Sequence, residues 1–198
     1  GDVWVDGLHL KSNTLAVKQK IGYVPELAEL YDVLTPVEFL ELMGSLYQLD
    51  AGVAAERATR MLTAFGLGEH LHQRMDTFSK GMRQKVLLTS GLLHNPDIII
   101  LDEPLSGLDA NSVIIVKDLI TRLAKEGKTI FYCSHMMDVV EKVSDRIILI
   151  NEGTVVADGS FSELQQQQGN HSLEQIFAGL TANSGLDTSA DQLIRAMD

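Results

Sequence analysis

The sequence predicts an α/β protein with a parallel-sheet core and a helical subdomain inserted into that core. Residues 98–101 form an apolar run without alternation, which is typical of a parallel strand that is covered on both faces. An amphipathic segment at 111–126 and a second apolar run at 129–133 follow, so the chain has the strand–helix–strand order of a βαβ unit. Residues 27–95, in contrast, contain helical patterns throughout, and we interpret them as the insertion.

The elements of the first half are predicted from turn and cap residues. Residues 3–10 read as a hairpin with an Asp-Gly turn, and residues 21–24 as a short strand that ends at a proline. Three agreeing signals start the next helix, which runs to about residue 47: Thr35 as N-cap, Pro36 at the first helical position, and Glu38 closing a capping box. Further helices are predicted over 51–65, with a glycine C-cap, and from residue 79 to about residue 93.

The elements of the second half follow the same logic. The helix at 111–126 is closed by a glycine, and the strand 129–133 is followed by a helix over 136–143. A hairpin is predicted from 146–150 and 154–157. Beyond residue 159 we expect low-complexity polar sequence at 165–168, a helix over 172–177, and a tail from residue 181 with a short helix near Leu193. The predicted domains are therefore a core of 1–26 and 96–160, a helical subdomain of 27–95, and a C-terminal extension of 161–198.

Composition limits the classes of function. The 198 residues suffice for about one domain with an inserted lobe, and the net charge is −11 with no basic patch, which argues against a nucleic-acid partner. The single cysteine, Cys133, lies in an apolar strand, where we expect it to be buried and the compartment to be reducing. No signal peptide is visible, and no apolar run approaches the roughly 18 residues of a membrane span. A membrane function would therefore need another chain.

Two adjacent carboxylates, Asp102 and Glu103, end the apolar run at 98–101. In open α/β sheets, ligands bind beyond the carboxyl ends of the strands. One carboxylate there can hold Mg²⁺ and the next can polarise an attacking water. The alternative is a solvated strand end, since Asp-Glu pairs are common.

Three further candidates lie near predicted helix or strand ends. Ser79, two residues before Gly81, starts a helix whose free N–H groups could meet an anion, although most such serines are simple N-caps. Asp109 is also a plausible N-cap for the helix at 111–126. His135 stands just past a predicted strand, where a lone histidine is usually a polar surface residue.

In this order and spacing, these motifs resemble the ATPase domain of ABC transporters. The resemblance is carried by residues 78–85, 96–104, 106–109 and 130–135, and it covers nearly the whole chain from residue 1 to about 180. It implies a P-loop NTPase-like fold and an ATP-binding, ATP-hydrolysing subunit. Residues 78–82, Phe-Ser-Lys-Gly-Met, match the family signature Leu-Ser-Gly-Gly-Gln at the serine and the second glycine. The departures at Lys80 and Met82 resemble the branch that is paired with drug or antibiotic exporters.

The resemblance also implies roles for the catalytic candidates. Asp102 would hold the metal, Glu103 would polarise the water, and His135 would contact the γ-phosphate. Ser79 and Gly81 would complete the ATP site of the opposite subunit in a head-to-tail dimer.

Two more positions are implied to act at interfaces. Asp109 would lie in a loop that crosses the dimer interface. Glu26 stands where the family usually has a glutamine that contacts the metal and faces the membrane partner. The implied cofactors are ATP and Mg²⁺. The implied partners are a membrane permease and a second ATPase subunit, with a cytoplasmic location at the inner face of the membrane.

One family element is absent from the sequence, because no Gly-x-x-x-x-Gly-Lys-Ser/Thr loop occurs in it. We expect the family's first strands and this phosphate-binding loop to precede Gly1, which would make the chain truncated and inactive alone. We also expect the missing strand to lie beside the 98–101 strand, leaving that strand at the edge of the sheet.

Three functions remain as alternatives. The first is the catalytic subunit of a transporter, and the second is a non-catalytic module that docks a permease without hydrolysing ATP. The third is an ABC ATPase that acts on ribosomes or DNA, which would need tandem ATPase cores or a coiled coil and a basic face.

Overall fold

The computed structural model describes residues 1–27, 29–181 and 195–197. The chain divides by packing into two units, residues 1–134 and 135–198. The first unit opens with the predicted hairpin, made of β1 (Trp4–Val5) and β2 (Leu8–His9). Asp6 and Gly7 between them have φ of 47° and 75°, the positive values that a tight Asp-Gly hairpin turn requires. A short helix that the sequence did not predict, α1 (Thr14–Gln19), follows the hairpin.

A three-stranded parallel sheet forms the body of the first unit. Its strands are β3 (Ile21–Val24), β4 (Ile98–Asp102) and β5 (Thr129–Cys133), in the order β3-β4-β5. The helix α5 (Ala110–Lys125) connects β4 to β5 and completes the predicted βαβ unit. The predicted fold class, α/β with a parallel sheet, is confirmed.

The expectation that the 98–101 strand would be an edge strand is wrong. It is the central strand, because β4 pairs with β3 on one side and with β5 on the other. Within the described residues, β5 pairs with β4 alone and is itself at the edge. Its alternate side chains at 129, 131 and 133 are exposed, and Phe131 is 58% accessible. The prediction that Cys133 is buried is therefore also wrong, because Cys133 lies on this exposed face.

The segment between β3 and β4 contains α2 (Pro36–Leu46), α3 (Ala51–Ala64) and α4 (Lys80–Leu92), with two 3₁₀ turns at Gly68–His70 and Met75–Thr77. The predicted capping box of α2 is present, with Thr35 and Glu38 bonded reciprocally. These elements share one apolar core, which includes Leu40, Leu62 and Met75. On its other side, α4 packs against β3, where the backbones approach closely at Gly22 and Gly91.

The second unit contains α6 (Met137–Val143), the antiparallel pair β6 (Ile147–Asn151) and β7 (Thr154–Gly159), and the helices α7 (Phe161–Gln168) and α8 (Leu173–Leu180). The polar run at 165–168 is helical, because a capping box between Ser160 and Glu163 starts α7 upstream of it. The predicted helix near Leu193 lies outside the described residues. The domain boundaries drawn from the sequence remain predictions. In the described part of the chain, we find no helix with the length and apolar character that a membrane crossing demands.

Candidate functional site

The two carboxylates lie at the carboxyl end of the central strand. Asp102 is the last residue of β4, and Glu103 follows it in a turn with φ of 45°. The Glu103 backbone N–H donates to the Cys133 carbonyl at 3.0 Å, and the Ser134 hydroxyl donates to Glu103 Oε2 at 3.0 Å. The Glu103 side chain is thus held where β4 and β5 end together. Partial burial, followed by the charges of Asp102 and Glu103, raises the pKa of the Cys133 thiol.

The carboxylates at this strand end could supply part of the coordination of a metal ion whose other ligands come from water and a bound phosphate. Among the residues that the structure describes, no group of three or more His, Cys, Asp or Glu side chains could hold a metal by itself. Mg²⁺ commonly takes only one or two protein carboxylates, and water and substrate phosphates supply its other ligands. Asp102, partly buried at the end of its strand, is a suitable carboxylate of this kind.

The start of α4 carries the next two candidates. Ser79 is exposed and is the N-cap of α4, and its hydroxyl accepts a bond from the Met82 backbone N–H at 3.2 Å. Gly81, two residues further on, faces a second loop so closely that a Cβ there would lie 2.6 Å from the Gly107 carbonyl oxygen. The capping function of Ser79 is therefore present, and its role toward a nucleotide remains a prediction.

The second loop, residues 104–109, leads from the carboxylates to α5. Asp109 is the N-cap of α5, and it accepts bonds from the Ser112 backbone N–H at 3.0 Å and the Ser112 hydroxyl at 2.6 Å. Lys85 of α4 pairs with the same carboxylate at 3.1 Å. The two Ser112 bonds, and then Lys85, hold the pKa of Asp109 well below its usual range. Asp109 is therefore a charged link between α4 and α5.

Glu26 and His135 occupy different places. Glu26 is exposed and lines a cleft of about 420 Å³, and the other lining residues are Leu27, Glu29, Lys80, Arg83 and Gln84. His135 is exposed, follows Ser134 directly, and is the first residue of the second unit. The first unit thus brings Glu26, Ser79, Gly81 and Asp109 around the start of α4, while Asp102 and Glu103 lie with Ser134.

Several partners of these residues were not predicted from the sequence. Ser134 was passed over because it stands beside a more conspicuous histidine. Lys80, Gln84 and Lys85 were not linked to the 104–109 loop, because each contact joins residues at least 20 positions apart and the three side chains follow no single helical repeat. No local pattern in the sequence therefore indicates these contacts.

Comparison with known proteins assigns the family. The family model described as ABC transporter matches residues 1–106. The ABC transporter ATP-binding protein NatA of Bacillus subtilis (strain 168) is 37% identical over 178 residues, which cover 89% of this chain and 72% of the relative. The linearmycin resistance ATP-binding protein LnrL of the same strain is 35% identical, covering 89% and 57%. The daunorubicin/doxorubicin resistance ATP-binding protein DrrA of Streptomyces peucetius is 32% identical, covering 87% and 52%.

Solved structures give the same result. An ATP-binding subunit of an ABC transporter superposes with a TM-score of 0.83 and 28% identity, covering 89% of this chain and 75% of the other. A dimeric ATP-binding cassette, MJ0796, in a post-hydrolysis state with ADP and Pi superposes with a TM-score of 0.72 and 25% identity, covering 81% and 73%. The fold is thus that of a P-loop NTPase-like domain, as predicted. More specifically, the chain belongs to the ATP-binding proteins of the ABC transporter family. It spans 72% of NatA and little more than half of LnrL and DrrA.

Proposed function

We propose that this chain is the ATP-binding and ATP-hydrolysing subunit of an exporter that works through a separate membrane permease. The observation that carries the proposal is the Asp102–Glu103 pair at the end of the central strand, with the Ser134 hydroxyl on the Glu103 carboxylate. Two relatives are named for resistance to linearmycin and to daunorubicin or doxorubicin, which favours export of drug-like molecules.

The residues of this chain have distinct tasks in the proposed reaction. Glu103 polarises the attacking water, and the Ser134 bond holds its carboxylate in one orientation. Asp102 would hold Mg²⁺, which supplies positive charge to the phosphate oxygens when it is bound. His135 contacts the γ-phosphate. Glu26 contacts the metal and faces the permease.

The remaining site residues act across a dimer in this proposal. The N-terminal turn of α4, with Ser79 and Gly81, presents backbone N–H groups to the nucleotide of a second subunit. Asp109 lies in the loop that crosses to that subunit. A head-to-tail dimer at the inner face of the membrane, attached through the permease, satisfies these roles.

Tight ATP binding needs contacts that the sequence of this chain does not include. A phosphate-binding loop with its lysine makes most contacts to the β- and γ-phosphates, and residues 1–198 contain no such motif. We therefore expect the 198-residue chain alone to bind Mg-ATP more weakly than micromolar in calorimetry. Micromolar affinity would contradict this part of the proposal.

Hydrolysis is tested in a fusion that places a family member's phosphate-binding segment ahead of Gly1. Glu103→Gln in this fusion should lower ATP turnover by at least about 100-fold, because the amide cannot act as a base, while ATP binding persists. Glu126→Gln, which removes an exposed carboxylate at the far end of α5, is the matched control and should not change turnover.

Two outcomes would redirect the proposal. Turnover of the Glu103→Gln fusion within a few-fold of the unsubstituted fusion would show that Glu103 is not the base. A fusion that binds a permease but never hydrolyses ATP would instead support the non-catalytic docking module.

A further inference from the structure

Lys80 makes two contacts that its position in the signature does not explain. Its ammonium Nζ donates to the Ser106 hydroxyl at 2.8 Å. Its aliphatic stem lies against Gly107, because a Cβ added at Gly107 would be 2.9 Å from both Cγ and Cδ of Lys80. Gly107 has φ of 74°, so the loop makes its turn directly under the lysine stem. The strict family signature has a glycine at this position and could make neither contact.

Two neighbouring side chains of α4 hold the rest of the loop. Gln84 is buried and donates from Nε2 to the Pro104 carbonyl oxygen at 3.1 Å, where the loop begins. Lys85 pairs with the Asp109 carboxylate at 3.1 Å, where the loop ends. Lys80 provides the contact between these two ends. Three side chains of α4 thus contact the 104–109 loop at its start, middle and end.

The middle of the loop depends most on Lys80. The local backbone bonds there are two short turns, from Ser106 N–H to the Glu103 carbonyl and from Leu108 N–H to the Leu105 carbonyl. Gly81 also approaches the Gly107 carbonyl closely enough to exclude any side chain. Without the Lys80 contact, the two ends of the loop would still be held by Gln84 and Lys85, but its middle would no longer be fixed against the first turn of α4.

We propose that Lys80 is a positioning residue that joins the start of α4 to the 104–109 loop. Ser79 and Asp109 then present one rigid surface to the second subunit. We call the contact of Lys80 with Ser106 and Gly107 the tether. The consequence of the tether for hydrolysis rests on the proposed function, whereas the tether itself does not. Lys80 acts through Ser106 and the loop, and it is not itself a phosphate ligand. A lysine that bound a phosphate as a point charge would instead act on nucleotide affinity.

The tether is tested in the 198-residue chain by amide hydrogen exchange. Lys80→Met keeps the stem but removes the donor, and Ser106→Ala removes the acceptor. Each should speed exchange of the Ser106 and Leu108 amides about five-fold, the effect of losing one hydrogen bond of ordinary net strength. The double variant should be no faster than either single variant, because both remove the same bond. Lys80→Arg keeps a donor at this position and should retain the slow exchange of the unsubstituted chain.

Lys125→Met is the matched control, since it removes an exposed lysine at the end of α5. It should leave the loop amides unchanged. Unchanged exchange in Lys80→Met, or additive effects of Lys80→Met and Ser106→Ala, would overturn the tether.

The consequence for hydrolysis is tested in the fusion that supplies a phosphate-binding loop. Lys80→Met and Lys80→Gly should lower kcat about five-fold and leave KM unchanged, and Lys80→Arg should retain most of kcat. A rise in KM with unchanged kcat would show that Lys80 contacts nucleotide, and it would overturn the positioning role. A fusion without any ATPase activity would refute the proposed function alone, since the exchange result does not depend on it.

Discussion

At the scale of single residues, Asp109 shows that a structural role and a predicted functional role can share one side chain. The sequence left two interpretations of Asp109 open, a helix cap and an interface residue. In the structure, Asp109 caps α5 by accepting a hydrogen bond from the Ser112 N–H, and it also forms an ion pair with Lys85. The cap was predictable because Asp109 and Ser112 are close in sequence. The Lys85 contact joins two helices, and no pattern of neighbouring residues indicates it.

The charge of Asp109 should make stability depend on pH. Because the folded-state pKa is lowered, its contribution is fully present above the ordinary aspartate value of about 4 and is lost as the pH falls below it. Asp109→Asn keeps a good cap and removes the charge. We expect a lower urea midpoint for this variant at pH 7 and a shrinking difference from the unsubstituted chain below about pH 4. Glu126→Gln is the control, and a difference that grows toward acid would contradict the assignment.

Two substitutions of Ser79 distinguish its role as a helix cap from a contact with a second subunit. Ser79→Ala and Ser79→Arg both lose the bond from the Met82 N–H, which should lower the free energy of unfolding by about 1 kcal/mol in each case. Only the arginine adds bulk and charge at the exposed helix start. In the fusion with a phosphate-binding loop, Ser79→Arg should therefore abolish ATP turnover while Ser79→Ala keeps most of it. Turnover that persists in Ser79→Arg would mean that Ser79 acts only as a cap.

At the scale of elements, the sequence predicts best where a signal is local. The capping box of α2, the glycine after α3 and the bounds of β5 all follow from neighbouring residues, and the structure agrees. The short helix α1 was missed because it has no side-chain cap and buries only Val17. The expected edge position of the 98–101 strand was wrong, because strand pairing joins residues that are distant in sequence and is not set by one strand's composition.

The packing of α4 on β3 depends on two glycines. A Cβ at Gly22 would lie 2.0 Å from the Gly91 carbonyl oxygen and 2.6 Å from Pro96 Cγ, and backbone cannot yield as a side chain can. Gly22→Ala should therefore lower the free energy of unfolding by about 3 kcal/mol or more. Gly179→Ala in α8 is the control: no atom lies within 4 Å of its added Cβ, and it should stabilise by about 0.5–1 kcal/mol. Urea denaturation of both variants measures the contrast, and a neutral Gly22→Ala would show that α4 and β3 can separate.

At the scale of the whole molecule, we predict that the helical segment 27–95 carries the surface that contacts the proposed permease. One stripe along α2, at i, i+3, i+4, i+7 and i+8 spacing, is exposed, and its residues are Glu38, Glu41, Leu42, Ser45 and Leu46. Leu46 is 65% accessible. The opposite side of α2, with Phe39 and Leu40, is buried in the subdomain core. This stripe mixes acidic and apolar side chains, which suits a contact with a partner that has a basic rim around an apolar centre.

Cysteine cross-linking to the proposed permease tests this surface. The exposed Cys133 is first replaced by serine, so that a single cysteine can be placed at Leu42 or at Met197 near the C-terminus. We expect Leu42→Cys to cross-link efficiently to cytoplasmic loops of the permease, because α2 belongs to the subdomain predicted to dock, and Met197→Cys to cross-link weakly. Reversing the charges of Glu38 and Glu41 should lower the cross-linking yield without changing the urea midpoint by more than the loss of the Thr35–Glu38 capping box explains. The separate variant Glu41→Lys controls for that loss, since Glu41 has no part in the box. Efficient cross-links from Met197→Cys and none from Leu42→Cys would place the docking surface outside residues 27–95.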